Sequence, residues 1–217
     1  MNEWSFIFVH GRKSLMGKKR GPKYDQIIEA AVRVIAKHGY HQAQVSKIAK
    51  DAGVADGTIY LYFKNKEDIL VSLFEEKMGR FVDKTREQIE NETSAKEKLF
   101  ILIQMHFKQL AADHPLAIVT QLELRQSNPQ LRLRINEVLK GYLELMDIVL
   151  SEGKSAGVFQ AELDTRLARQ MIFGTLDEVV TNWVMKECKY DLVSLAKPVQ
   201  NMLLAGLQMI NDSTIEE

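Results

Sequence analysis

One cysteine, Cys188, in 217 residues rules out an intrachain disulfide and any metal centre built on several thiolates, and it suits a reducing cytoplasm. No stretch approaches the roughly 18 consecutive apolar residues that a membrane helix needs, so no membrane association is expected. The apolar hexamer Trp4 to Val9 follows Glu3, lacks a basic leader and falls short of a signal peptide's core. Strand-type alternation, internal repeats and low-complexity tracts are all missing, which leaves an all-α chain. The histidines are His10, His38, His41, His106 and His114, and no serine-elbow or metal-ligand spacing accompanies them. No catalytic residue, metal or cofactor is assigned.

What is present is unevenly charged. Residues 1 to 66 carry twelve Lys/Arg against five Asp/Glu, and residues 67 to 217 carry seventeen against twenty-four, so the chain is neutral only in sum. A basic N-terminal module on an acidic body is the layout of a protein that binds phosphates with one end. The run Lys18-Lys19-Arg20-Gly21-Pro22-Lys23 reads either as an arm along the DNA backbone or as a solvated tail. Residues 1 to 15 fit no part of this scheme, and Met16 is a candidate start of translation.

The most informative segment is Val45 to Leu70. Val45, Ile48, Ala49 and Ala52 lay one apolar stripe on a short helix, Gly53 supplies the left-handed residue that ends it, and Val54 wedges into the bend. Asp56 is expected to cap a second short helix running to about Phe63, with Ile59 and Phe63 inward. This is a helix-turn-helix. Its free face offers Asp56, Gly57, Thr58, Tyr60, Leu61 and Tyr62, with Ser46, Lys47 and Lys66 beside it. Thr58 and Tyr60 suit groove contacts, while Lys47, Tyr62 and Lys66 suit phosphates.

These residues resemble the DNA-binding domain of the TetR family of bacterial transcriptional repressors. The resemblance is carried by Ile27 to Tyr40, Ile48-Ala49, Ala52-Gly53-Val54, Gly57-Thr58-Ile59-Tyr60, Tyr62-Phe63 and Lys66-Glu67. Gln44, Ala55 and Asp56 depart from the family's usual hydroxyl, serine and basic residues, which leaves the operator sequence open. Ala117 to Asn128, Ile135 to Tyr142 and Leu167 to Glu178 further resemble the acyl-CoA-responsive group that represses fatty-acid degradation (β-oxidation) in Gram-positive bacteria.

Helical periodicity and capping signals divide the body. A long helix from Lys66 to about Asn91 joins the two modules. Ser94 opens the next with a Ser-Ala-Lys-Glu capping box, running to Asp113. Pro115 and Pro129 mark two further starts, the second helix ending at Gly157. Helices near Asp164 to Glu187 and Ser194 to Asn211 follow, Pro198 falling in the last one's first turn. The expected division is a leader and arm (1–22), a helix-turn-helix domain (23–68), a helical ligand-binding and dimerisation domain (69–211) and a tail (212–217).

The resemblance implies a homodimer through the last two long helices, a pseudo-palindromic double-stranded DNA operator, and release by long-chain acyl-CoA as effector. It also implies a tunnel, for which Phe107, Leu110, Leu122, Leu139, Leu143, Met146, Phe173, Val180 and Trp183 are candidates, each equally readable as core. Arg125, Arg132 and Lys140 are candidates for the coenzyme A phosphates. The residues alone also admit a sensor of a drug or signalling lipid, and more remotely an acyl-thioester-processing enzyme, for which only His106 stands as a body-interior base.

Overall fold

The computed structural model describes residues 20–123 and 128–208. Within them run α1 (Pro22–His38), α2 (Val45–Asp51), α3 (Asp56–Ile59), α4 (Lys66–Glu90), α5 (Ala95–Ala111), α6 (His114–Glu123), α7 (Pro129–Ser155), α8 (Thr165–Met185) and α9 (Ala196–Leu207). A 3-10 turn, Val193–Leu195, precedes α9, and no strand occurs among the described residues. The fold is all-α, as the sequence indicates.

Local chemistry sets most helix starts. Asn65 Oδ1 accepts from the Asp68 amide at 2.8 Å, Asn128 Oδ1 from those of Gln130 and Leu131 at 2.9 and 3.2 Å, and Asp164 Oδ1 from that of Leu167 at 3.0 Å. The Ser94 box is only half formed. Ser94 Oγ accepts from the Glu97 amide at 3.5 Å, but the Ser94 amide donates back to Glu92 Oε1 at 2.8 Å, so Glu92 takes the reciprocal role.

Two glycine stops follow the expected geometry. Gly53 and Gly157 both have φ +66, and each is flanked by paired bonds back into its helix, Val54 N–H to Ala49 O at 3.0 Å and Val158 N–H to Gly153 O at 2.9 Å.

α5 and α8 end two residues before the sequence reading, at Ala111 and Met185, and three boundaries differ in kind. Ala55, not Asp56, caps α3, and Asp56 is its first helical residue. Regular helix there ends at Ile59, the chain continuing as turns in which the Tyr62 and Phe63 amides donate to Ile59 O. α9 stops at Leu207, short of Asn211, because Gln160 caps it from outside: its amide N–H donates to Leu207 O at 3.0 Å and its side chain to Gln208 O at 2.7 Å.

α1, α2 and α3 close a small core of Tyr24, Ile27, Ala31, Ile48, Ile59 and Phe63, all nearly inaccessible. α5 is the hub of the body, packing on α4, α6, α7, α8 and α9 and burying Leu99, Leu102, Ile103 and Phe107 completely. α1 also packs directly on α4 and α6, so the small core is docked to the body at two places.

Where α7 turns toward α8, the Phe159 ring lies on the bare face of Gly153, where an added Cβ would stand 2.1 Å from the ring. The ring is itself buried, 1% exposed, and cannot swing away. Gly153→Ala should therefore destabilise the chain by about 3 kcal/mol, read as a lower denaturation midpoint with an unchanged slope.

Candidate nucleic-acid interface and interior cavity

The outward side of the α2–α3 unit is built by what packs inward. Ile59 is fully buried, and Phe63 stacks on Tyr24 with ring centroids 5.2 Å apart. Anchoring them leaves Tyr60 and Leu61 59% and 71% exposed, with Asp56 and Gly57 exposed and Thr58 half-buried between them. Ser46 and Lys47, in the first turn of α2, are also exposed. Large apolar side chains held out in water beside polar ones form a surface suited to base edges and thymine methyls.

Two expected phosphate contacts, Lys66 and Arg20, are already engaged, and a third, Tyr62, is anchored by its ring. Tyr62 is half-buried, 6.3 Å from both the Tyr24 and Phe63 rings. Lys66 Nζ donates to the carbonyls of Tyr40 and His41 at 2.9 and 3.0 Å and lies 4.6 Å from the Tyr40 ring centroid. It ties the α1–α2 loop to the start of α4. Burial, and then the Glu67 charge, push the Tyr40 phenol up to about 12. Arg20 pairs with Glu76 on α4 at 2.9 Å. Lys18 and Lys19 lie outside the described residues.

The joint between head and body is polar. Asp68, 5% exposed, accepts from the Lys64 amide at 3.1 Å and from Arg134 of α7 at 3.1 Å. Asn128 donates to Glu67 at 3.3 Å. Lys77 of α4 reaches Glu29 of α1 at 2.8 Å and Asp113 at 3.5 Å, and Arg80 reaches Asp25 at 3.1 Å. Apart from the local Lys64–Asp68 bond, none of these pairings is apparent from the sequence, since the partners are far apart along the chain.

Inside the body lies a cavity of about 50 Å³. Its walls are Phe74, Lys77, Met78 and Phe81 of α4, His106, Gln109 and Leu110 of α5, Leu116, Thr120 and Gln121 of α6, Leu139 and Tyr142 of α7, and Phe173 and Asp177 of α8. Small-molecule sites span roughly 300–1,000 Å³, so its walls must part for any sizeable occupant. At one place His106 Nδ1 and the Tyr142 hydroxyl are 3.0 Å apart, with the two rings stacked. Burial pushes the imidazole down to about 4, so it is neutral at physiological pH, and raises the Tyr142 phenol. At another, the Gln121 amide is placed to donate to Thr181 Oγ1 at 2.9 Å and Asp177 Oδ1 at 3.0 Å.

Of the tunnel candidates, Leu110, Leu139 and Phe173 line this cavity. Phe107, Met146, Val180 and Trp183 are buried but absent from its wall, and Trp183 Nε1 donates to Tyr190 O at 2.8 Å. Leu143 is half-buried against the core, and Leu122 is 48% exposed. Among the phosphate candidates, Arg132 and Lys140 are exposed, Lys140 pairing with Glu137 at 2.8 Å, and Arg125 lies outside the described residues. Sequence reasoning places Phe81 on the apolar side of α4 but does not assign it, Gln109 or Tyr142 to the ligand site. Their helical spacing marks them as interior, but nothing local distinguishes a cavity wall from solid core.

Residues 27–73 match the family of bacterial regulatory proteins of the tetR type, and residues 74–206 match the C-terminal region of YsiA-like proteins. The chain belongs to the tetR family of bacterial regulatory proteins. Within it, the chain is 64% identical over 190 residues to the fatty acid metabolism regulator protein of Bacillus subtilis, covering 88% of this chain and 98% of that one. The fatty acid degradation regulator FadR of Bacillus halodurans superposes with a TM-score of 0.83 at 76% identity, over 85% of this chain and all of that one. FadR of B. subtilis, solved in complex with stearoyl-CoA, also superposes at 0.83, with 64% identity and the same coverage. Its relatives are transcriptional regulators and not enzymes.

Asp68 gives the joint a direct test. Asp68→Ala strands the Lys64 amide and frees Arg134, whose own 43% exposure moderates the loss. It should cost about 2 kcal/mol in urea unfolding.

Proposed function

We propose that the chain is a homodimeric repressor that binds a pseudo-palindromic operator in double-stranded DNA upstream of fatty-acid-degradation genes, and that a long-chain acyl-CoA releases it. The observation that carries this reading is the shared use of two helices. α4 and α6 form walls of the apolar cavity and are also the helices on which α1 of the DNA-binding head rests. The relatives support the ligand class, one being a fatty acid metabolism regulator and one a complex with stearoyl-CoA.

Dimerisation is assigned to α8 and α9, whose Leu167, Met171 and Met202 are 55%, 62% and 78% exposed, with Gly174, Ala205 and Gly206 allowing close approach. A twofold axis there presents two heads to successive major grooves about 34 Å apart. The head is residues 23–68 and the sensing body 69–211, with α4 running through the division. Such a protein works in the cytoplasm, on nucleoid DNA. Thr58 and Tyr60 read the groove and Lys47 holds phosphate, while Arg132 and Lys140, exposed on α7, offer charge to coenzyme A.

The mechanism follows from the size of the cavity. An acyl tail cannot enter about 50 Å³ without displacing the side chains of α4 and α6, and displacing them moves α1. Head spacing that fits the operator and a tail-filled body then exclude each other, and operator and ligand must weaken one another by the same factor.

The test is operator binding at fixed salt with and without stearoyl-CoA, using free fatty acid and free coenzyme A as controls. Tight binding lost only with the thioester is expected. Binding indifferent to it would point to another hydrophobic effector, and no binding would overturn the repressor reading.

Lys77, 14% exposed, bridges the cavity wall to Glu29 of α1. Lys77→Met should leave operator and stearoyl-CoA binding measurable separately but shrink the factor by which each weakens the other. An unchanged factor would place the link elsewhere.

A further inference from the structure

Among the described residues, two buried side-chain polar atoms have no hydrogen-bond partner, Asp147 Oδ1 and His106 Nε2. The Asp147 carboxylate is otherwise paired, through its second oxygen, with Arg169. His106 stands in the cavity wall. Its other nitrogen is occupied by the Tyr142 hydroxyl, and Phe81 and Phe107 meet the ring edge-on at 6.2 and 6.1 Å. A buried polar atom left unpaired is costly, and such atoms are rare in folded proteins.

Proton counting decides what this atom offers. A neutral imidazole carries one N–H. If that proton were on Nδ1, it would donate to the Tyr142 oxygen, leaving both Nε2 and the phenol proton unmatched. If Tyr142 donates to Nδ1, the imidazole proton sits on Nε2 and a single donor is left over. The second arrangement wastes fewer hydrogen bonds, so Nε2–H is an unused donor among aromatic rings in the cavity wall.

We infer that His106 Nε2–H is a recognition donor for an oxygen atom of the acyl ligand, positioned by Tyr142. The proposal rests on the acyl-CoA reading above. Two oxygens share the required chemistry, the thioester carbonyl and a hydroxyl carried along the chain. A purely hydrocarbon tail passing His106 leaves the donor unmatched, and an oxygen placed there satisfies it. No group of the protein itself pairs with this donor, and an oxygen of the ligand supplies the partner.

The test replaces both members of the pair, so that neither strands the other. The double variant His106→Leu/Tyr142→Phe should melt, without ligand, at or above the wild-type temperature, because apolar groups replace an incompletely bonded polar pair. If the thioester carbonyl is the partner, its affinity for stearoyl-CoA should fall about tenfold. If a chain hydroxyl is the partner, wild type should prefer 12-hydroxystearoyl-CoA over stearoyl-CoA about tenfold, and the double variant should lose that preference while binding stearoyl-CoA normally. In either case His106→Gln, which keeps an N–H donor near the same place, should recover part of the loss.

Unchanged affinities for both thioesters in the double variant would overturn the proposal while leaving the repressor reading standing. So would a marked drop in ligand-free melting temperature accompanying weaker binding, which would make the pair structural. Wild type that binds neither thioester would overturn the acyl-CoA reading, and this inference with it.

Discussion

Everything else in this molecule depends on the continuity of α4. Its 25 residues form a rod of about 37 Å. The first turn is locked into the DNA-binding head by the Asn65 cap, the Lys66 bonds to Tyr40 and His41, and the buried Asp68. Between about two and four turns from its start the same rod supplies Phe74, Lys77, Met78 and Phe81 to the cavity. A helix held by backbone hydrogen bonds transmits displacement along its axis, so the head cannot ignore what happens to the cavity wall. α6 adds a second support, since it too lines the cavity and packs on α1.

The cavity is small because large aromatic side chains fill the body almost completely. In the proposed function this gives ligand binding its regulatory leverage. An occupant that fitted an open pocket would bind both states of the protein alike and shift nothing. One that must part α4, α5, α6, α7 and α8 binds the two states differently by whatever the parting costs. The ion pairs at the joint, Lys77 with Glu29, Arg80 with Asp25 and Arg134 with Asp68, define the arrangement being left. Each keeps at least one partner 43% or more exposed, and Arg80–Asp25, exposed on both sides, is individually weak, so the joint can be reset without unfolding either unit.

The helix-turn-helix was readable almost residue by residue, because its signals are local: the stripe Val45, Ile48, Ala49, Ala52, the Gly53 stop and the inward pair Ile59 and Phe63. Helix starts at Asn128 and Asp164 were readable for the same reason. The binding residues were less so. Lys66 and Arg20 carry the charge expected of phosphate contacts, but whether such a cation faces solvent or a carbonyl depends on partners many residues away. Met146 and Phe173 look alike in sequence, apolar and at helical spacing. One is solid core and the other cavity wall because of which neighbouring side chains leave a gap.

By itself the sequence determined the all-α class, the reading unit, the basic head on an acidic body, and most helix boundaries, since these follow from period, caps and charge within a few turns of chain. Only the tertiary structure decided where α9 ends, because Gln160 caps it from a distant loop. The same holds for which helices share the cavity and for the isolation of His106 Nε2. Each of these is set by the convergence of side chains from separate helices, and convergence is a property of packing that no local pattern encodes.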